Sequence, residues 1–285
     1  MTNAYDKVID ELSEKLIAEL SAHQSDGKYR RSHKIFLPYN VDSEKAYSGT
    51  NVIVLVFQMR ATPVWGTFNQ WNKLGYHPVK HSGVAVYSPP LTKRDIDANG
   101  NEILSERPPR AYHVFNAEDV RNEAGEAYAV EEIGNAGAPV PDIERWIERV
   151  GAEIIEWPDN PAYSRRKDII KMPPFHSFVS PELYYSALSH ELIHWTGAAS
   201  RLNRDTLIRS GDDIQIRAKE ELCAEIGATM LCAKLNVSYD AIRDDHLSYI
   251  ANWLTALEQD KSYIREAVKN AAAAVRYLDE IIATE

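Results

Sequence analysis

Apolar residues recur at helical spacing at the start of the chain: Val8, Ile9, Leu12, Leu16, Ile17 and Leu20, with acids and lysines between them. Residues 1–22 are therefore predicted to form an amphipathic helix, ended by the polar break Ser25 to Gly27. Asn51 to Phe57 is a short, apolar, β-branched run that suits either a buried strand or part of a buried helix. Trp65 to Gly75 predicts a short helix closed by glycine. Val79 to Tyr87 predicts a hairpin arm turning at Ser82 and Gly83, with Arg110 to Phe115 as a strand antiparallel to it. The polar insert from Lys93 to Pro109 is expected to be a long exposed loop. Gly, Pro and Ala dominate Ile133 to Pro141, the composition of a linker. Beyond it, a helix is predicted over 143–150, ended by Gly151, then strands between Ala162 and Pro173. Helices follow over 180–197 and 218–233, and from Asp240 the chain reads as helical, with Leu247, Ile250, Trp253, Leu254 and Leu257 on one face. The expected fold class is α+β in two domains. The first is a small sheet with helices over 1–132, a linker covers 133–141, and the second domain spans 142–285.

Composition narrows the class. With 285 residues, 44% of them hydrophobic and 26% charged, the chain has the make-up of a soluble globular protein. No apolar run approaches the ~20 residues of a membrane helix, so no membrane partner is expected. The first residues lack the basic and apolar regions of a signal peptide. Cys223 and Cys232 lie nine positions apart on one predicted helix. At about 100° per residue that puts them on nearly opposite faces, where they cannot bridge. They read as small core residues of a reducing compartment, and the cytoplasm is the expected location.

The net charge of −10 is unevenly distributed: residues 28–110 carry 12 Lys and Arg against 6 Asp and Glu. Such asymmetry points to a nucleic-acid module joined to an acidic one. Cations that track phosphates, interleaved with rings that stack on bases, are what single-stranded DNA requires. The candidates are Arg30, Arg31, Lys34, Trp65, Trp71, Lys73 and Lys80. Trp65 and Trp71 are six apart, so on one helix at most one of them faces DNA.

Candidate chemistry concentrates in the second half. His190-Glu191-x-x-His194 is an H-E-x-x-H pattern, and Ser180, Pro181 and Gly197 supply the N-cap, first-turn and closing residues of its helix. Positions i and i+4 stack on one face, so both imidazoles can share an ion. Glu191, about 100° round the axis, is placed to act as general base. A tetrahedral catalytic zinc needs a third protein ligand. Glu221 and Glu225, also i and i+4 on an apolar helix, offer one, with Glu221 as ligand and Glu225 behind a ligand histidine; the reverse assignment stays open. The expected cofactor is Zn²⁺, with another divalent ion such as Mn²⁺ also accommodated. For the oxyanion, Tyr163, Tyr184 and Arg165 remain alternatives.

These segments together resemble the ArdC-type antirestriction proteins of conjugative plasmids and phages. The resemblance is carried by Gly49 to Val52, Gly66-Thr67-Phe68 with Gln70, Trp71 and Gly75, Val114 to Asn116, Tyr163-Ser164 with Arg166, Met172 to Pro174, His190 to Gly197 with Ser200 to Arg204, and Glu220 to Ala228. It implies an N-terminal domain that binds single-stranded DNA, a C-terminal zincin-like metallopeptidase domain, and protection of incoming DNA from restriction. A DNA-bound host protein would be the implied substrate. The alternative is a protein that coats single-stranded DNA and whose metal site is structural or inactive. One departure is local: in place of the family's usual Lys-Gly-Glu-Lys-Gly, this chain carries Lys80-His81-Ser82-Gly83, one lysine fewer for phosphate contact.

Overall fold

A computed structural model describes residues 4–26, 37–58, 60–96, 102–130, 140–178, 180–237 and 262–283. The first helix, α1 (Ala4–Asp26), buries Val8, Ile9 and Leu12 and packs on the sheet strands β4 (Val84–Ser88) and β7 (Arg110–Asn116). The ambiguous apolar run is a helix, α2 (Thr50–Val56), with four consecutive residues, Val52 to Leu55, all buried. A helix enclosed on every side shows no period, so pattern alone could not separate it from a buried strand.

The segment after it departs from expectation. Val64–Thr67 is a strand, β2, and helix α3 (Phe68–Lys73) begins only after it. The start is set by a capping box: Thr67 Oγ1 accepts from the Gln70 N–H at 3.4 Å, and Gln70 Oε1 accepts from the Thr67 N–H at 2.8 Å. The principal sheet runs β1 (Tyr39–Asn40), β2, β7, β4. Strand β4 is antiparallel to β7, from Val84 opposite Val114 to Ser88 opposite Arg110, as expected. Val79 to Gly83, however, is not a hairpin arm. The residues before it form a short strand, β3 (His77–Pro78), which pairs with β8 (Val120–Arg121). Around and within the polar insert, β5 (Leu91–Ile96) and β6 (Glu102–Arg107) pair as a ribbon, in register from Leu91–Arg107 to Ile96–Glu102. A two-stranded ribbon pairs its inward backbone groups and leaves the outward ones to water, so no apolar face announces it.

In the second half, α4 (Val140–Val150) starts within the last residues of the expected linker and ends at Gly151, whose φ of 71° suits a residue without Cβ. Most of that linker, and the face carrying Leu247 to Leu257, lie outside the described residues. A three-stranded sheet of order β10 (Ala162–Ser164), β11 (Ile169–Met172), β9 (Ile154–Glu156) leaves β10 at its edge. Among the described residues four helices follow: α5 (Pro181–Thr196), α6 (Asp205–Ile208), α7 (Ile214–Lys234) and α8 (Ser262–Ala283). Helix α7 packs on both α5 and α8.

The two halves of the sequence share one apolar core. Val8, Ile53, Val86 and Val114 belong to the same contiguous cluster as Leu188, Ile193, Ile226 and Leu278, and α2 lies against α7 and α8. Cys223 and Cys232 are both buried and unbridged, as their spacing requires.

Close approach of α5 and α7 depends on Gly227. A Cβ there would come within 2.8–2.9 Å of three side-chain atoms of Ile193. Gly227→Ala is expected to force these helices apart, costing about 1–3 kcal/mol in chemical denaturation and weakening metal binding by the residues that sit on the two facing surfaces.

Candidate metal centre

Every residue of α5 from Tyr185 to Thr196 is buried, so its polar side chains must find partners inside the protein. Ser180 caps the helix, its hydroxyl accepting from the Leu183 N–H at 3.3 Å. One turn apart on α5, His190 and His194 aim their Nε2 atoms at the same point, 3.1 Å from each other. Glu221 arrives from α7, its Oε2 3.3 Å from His190 Nε2 and 3.7 Å from His194 Nε2. Among the described residues these three offer ligand atoms that all lie within 4.8 Å of one another. An ion held tetrahedrally at about 2.0–2.1 Å spaces its ligand atoms about 3.3 Å apart, so the triangle has the dimensions such an ion requires.

What lies behind the imidazoles supports the same reading. His190 Nδ1 is 3.2 Å from Glu225 Oε1, and His194 Nδ1 is 2.9 Å from Glu220 Oε1. A carboxylate at Nδ1 holds the proton there and leaves the Nε2 lone pair for an ion. Glu225 was expected in this position, but Glu220 was not. Glu220 projects about 100° from Glu221 around α7, off the face that Glu221 shares with Glu225. It is 1% exposed and the centre of a buried network. Arg204 donates to it through Nε at 2.9 Å and Nη2 at 2.6 Å, and Thr206 Oγ1 donates at 2.6 Å. Arg204 is itself fixed by a bond from Nη2 to the Ile193 carbonyl at 2.8 Å. Gly197 makes room for it, since a Cβ there would lie 2.7 Å from the guanidinium carbon.

The electrostatics are those of a loaded acid–imidazole cluster. Burial pulls the His194 imidazole down, but Glu220 and Glu221 outweigh it and hold its pKa up at about 9. His190 is likewise held well above its ordinary range, burial being overcome by Glu225 and Glu221. Burial pushes the Glu221 carboxyl up, and the two imidazoles pull it well below the usual carboxylate range. At neutral pH the ion-free cluster therefore carries protons that an ion must displace. Metal affinity is expected to rise with pH from 7 toward 9, by up to about tenfold per unit for each proton released. Calorimetry in buffers of different ionisation enthalpy counts those protons, and a flat dependence would contradict the assignment.

Glu191 is buried beside the triad, its Oε2 accepting from the backbone N–H of Tyr163 at 2.7 Å. That N–H belongs to the edge strand β10, so the outer rim of β10 faces the centre. A cleft of about 660 Å³ opens there, lined by Asn160 to Tyr163 on one side, Leu207, Ser210 and Gly211 on the other, and the site residues at its floor. Of the three oxyanion alternatives, Tyr184 packs among Phe175, Phe178 and Tyr185 and does not line the cleft. Tyr163 does, but its hydroxyl donates to Asp168 at 2.7 Å and accepts from Arg201 at 3.1 Å. Burial and Asp168 hold that phenol protonated, with its pKa pushed up to about 12. Arg165 lines the cleft and donates through Nη1 to the carbonyls of Leu207, at 2.7 Å, and Ile208.

The DNA-contact candidates fare differently. Trp65 and Trp71 are 1% and 0% exposed, and neither ring can stack on a base. Trp65 is on a strand, not the predicted helix, and belongs to the main core. Trp71 donates from Nε1 to the Phe115 carbonyl at 2.9 Å and packs edge-on against Tyr76 and Tyr128 in a separate small core. Lys73 and Lys80 are exposed, Lys73 with Asp42 at 3.1 Å. Arg30, Arg31 and Lys34 lie outside the described residues. Phe68, the first residue of α3 and one of the aromatics interleaved with the cations of residues 28–110, is 52% exposed.

Comparison with known proteins agrees with this architecture. Residues 2–115 match the family model of the N-terminal domain of anti-restriction factor ArdC, and residues 141–271 match a zincin-like metallopeptidase family. An uncharacterized protein of Sinorhizobium fredii, y4eC, is 32% identical over 286 residues, which span 95% of this chain and 89% of that one. The DNA primase TraC of Escherichia coli is 32% identical over 268 residues, covering 88% of this chain but 24% of the primase. The metal-free crystal structure of the antirestriction protein ArdC from plasmid R388 superposes with a TM-score of 0.70 at 30% identity, covering 97% of this chain and 98% of the other. Its Mn(II)-bound form gives 0.66 at 28% identity, over 96% and 98%. No helix among the described residues is long and apolar enough to cross a membrane.

Proposed function

The chain belongs to the ArdC-type antirestriction family, and we propose that it protects incoming plasmid or phage DNA by pairing a single-strand-binding half, residues 1–132, with a metallopeptidase half, residues 142–285. The observation that carries the second part is the convergence of His190, His194 and Glu221, within 4.8 Å, beside the buried carboxylate of Glu191. Two imidazoles and one carboxylate suit Zn²⁺, and Mn²⁺ is compatible with the same donors. Bound there, a divalent ion would polarise a peptide carbonyl and make water acidic enough to attack it.

The protein's own groups supply the rest. Glu220 and Glu225 hold the imidazoles in the tautomer that presents Nε2. The Tyr163 N–H steadies one oxygen of Glu191, leaving that carboxylate to take the proton of the attacking water and return it to the leaving nitrogen. An extended substrate would lie in the cleft beside β10, next to Glu191. Metal analysis tests the assignment: wild type should retain one divalent ion per chain, and Glu221→Ala should lose it on dialysis. Retention by Glu221→Ala would remove Glu221 as a ligand.

For the N-terminal half, support comes from the match to the ArdC N-terminal domain, the cationic excess of residues 28–110 and the exposed Lys73, Lys80 and Phe68. Affinity for a single-stranded oligonucleotide is expected to fall with salt, each phosphate contact adding about 0.7 to the slope of the log–log plot. Phe68→Ala should weaken binding by about 1–3 kcal/mol if that ring stacks on a base, whereas no binding at low salt would remove the DNA reading. The substrate would be a host protein brought to the site by the DNA it occupies.

A further inference from the structure

The cleft beside the metal triad is unequal in charge. Its carboxylates are engaged: Glu191 with the Tyr163 N–H, Glu220 with Arg204, and Glu221 with the imidazoles. Besides the site histidines, the other charged side chains that line it among the described residues are Arg165 and Arg217. Arg165 follows β10 and reaches over the cleft to the carbonyls of Leu207 and Ile208 at the end of α6. Arg217 stands one turn before Glu221 on α7, with Nε 3.8 Å from Glu221 Oε1 and a side chain 54% exposed. Four other acids of the neighbouring segments have partners of their own. Asp205 and Asp212 pair with Arg209, Asp168 pairs with Arg201, and Asp213 caps α7. Among the described residues, two guanidiniums thus line the cleft, Arg217 beside Glu221, and the lining carries no acid beyond Glu191, Glu220 and Glu221.

We propose that this cleft selects a peptide bearing a carboxylate close to the bond to be cut, read by Arg165 and Arg217. That carboxylate is either an Asp or Glu side chain or the peptide's own C-terminus. The inference rests on the peptidase reading for the identity of its ligand. Guanidinium forks match carboxylates in geometry as well as charge. In a partly enclosed cleft they also repel a Lys or Arg side chain, so discrimination has both an attractive and a repulsive side.

Fluorescence anisotropy on the Glu191→Gln protein, with and without Zn²⁺, tests this with four labelled peptides of one length. Three are amidated alanine peptides with Glu, Gln or Lys at the centre, and the fourth is an all-alanine peptide with a free C-terminal carboxylate. The Glu peptide, the free-carboxylate peptide or both should bind about tenfold more tightly than the Gln peptide, the size expected of a charge-assisted hydrogen bond, and the Lys peptide most weakly. Which of the two binds identifies the source of the carboxylate. Arg165→Ala and Arg217→Ala, checked for native melting temperature, should each lose most of that preference, and Arg217→Glu should shift it toward Lys. Equal binding of all four peptides overturns the proposal. So does an oligonucleotide that binds through Arg165 and Arg217 when no acidic peptide does. Hydrolysis by the wild type is read separately: an acid preference in binding without cleavage of any peptide sinks the peptidase reading and leaves the carboxylate site standing.

Discussion

Glu191→Gln is expected to lower peptide hydrolysis by about 10²–10⁴-fold, the usual contribution of a positioned general base, while leaving metal content and the fold unchanged. The substitution is isosteric, and the glutamine oxygen can still accept from the Tyr163 N–H that now meets Glu191 Oε2 at 2.7 Å. The amide keeps its place in the cleft but cannot take a proton from water. Nothing in the triad of His190, His194 and Glu221 contains this side chain, so bound metal should remain at the wild-type ratio. Turnover of a susceptible peptide, measured beside metal analysis of the same preparation, makes the comparison. Equal turnover by both proteins would remove Glu191 from the chemistry. Undiminished protection of DNA by the substituted protein would assign antirestriction to strand coating and make the metal site structural.

The second large effect is on stability. Glu220→Gln should destabilise the protein by about 3–5 kcal/mol, because it leaves the buried Arg204 guanidinium without its counter-charge. Arg204 is 6% exposed, and water cannot replace the carboxylate that now meets it at 2.6 and 2.9 Å. His194 loses its charged partner at Nδ1 in the same step, so metal affinity should fall about 10–100-fold as well. A double change, Glu220→Met with Arg204→Met, should recover part of the stability but not the affinity, which separates the ion pair from the orientation of the imidazole. The pH dependence has a definite sign. Burial raises the Glu220 carboxyl, but Arg204 and His194 outweigh it and bring its pKa down to about 2. A depressed carboxylate contributes stability that is complete above its unfolded value of about 4.3 and is lost as pH falls toward 2. Wild type should therefore lose stability through that window, and Glu220→Gln should lose less of it. Urea midpoints at several pH values between 2 and 7 would reveal parallel curves if Glu220 were not responsible.

Much of the site was legible because it follows from spacing within single helices. Ser180 and Gly197 mark the ends of α5, and the i, i+4 rule puts His190 with His194 and Glu221 with Glu225. The principal misreadings fall where an element's neighbours decide the outcome. Trp65 and Trp71 were candidates of which at most one was expected to face DNA, yet a strand-to-helix change at Thr67 sends each into a different core. Gly66 contributes to this: a Cβ there would meet Val41 Cγ1 at 2.7 Å and Trp71 Nε1 at 2.9 Å, so the strand can lie directly on the ring. The insert between β4 and β7 offered no amphipathic pattern, since a ribbon held by its own hydrogen bonds needs none.

By itself the sequence determined which residues share a helical face, because a rise and a turn per residue follow from local backbone geometry. That is enough to set His190 with His194, Glu191 next to them, and Glu221 with Glu225 on a second helix. Only the tertiary structure decided what each face meets. It brought Arg204 and Thr206, 16 and 14 residues upstream, onto Glu220, laid the edge of β10 against Glu191, and joined both halves of the chain in one core. Direction around a helix is a property of the chain, whereas the surface a side chain points at is a property of how the helices pack.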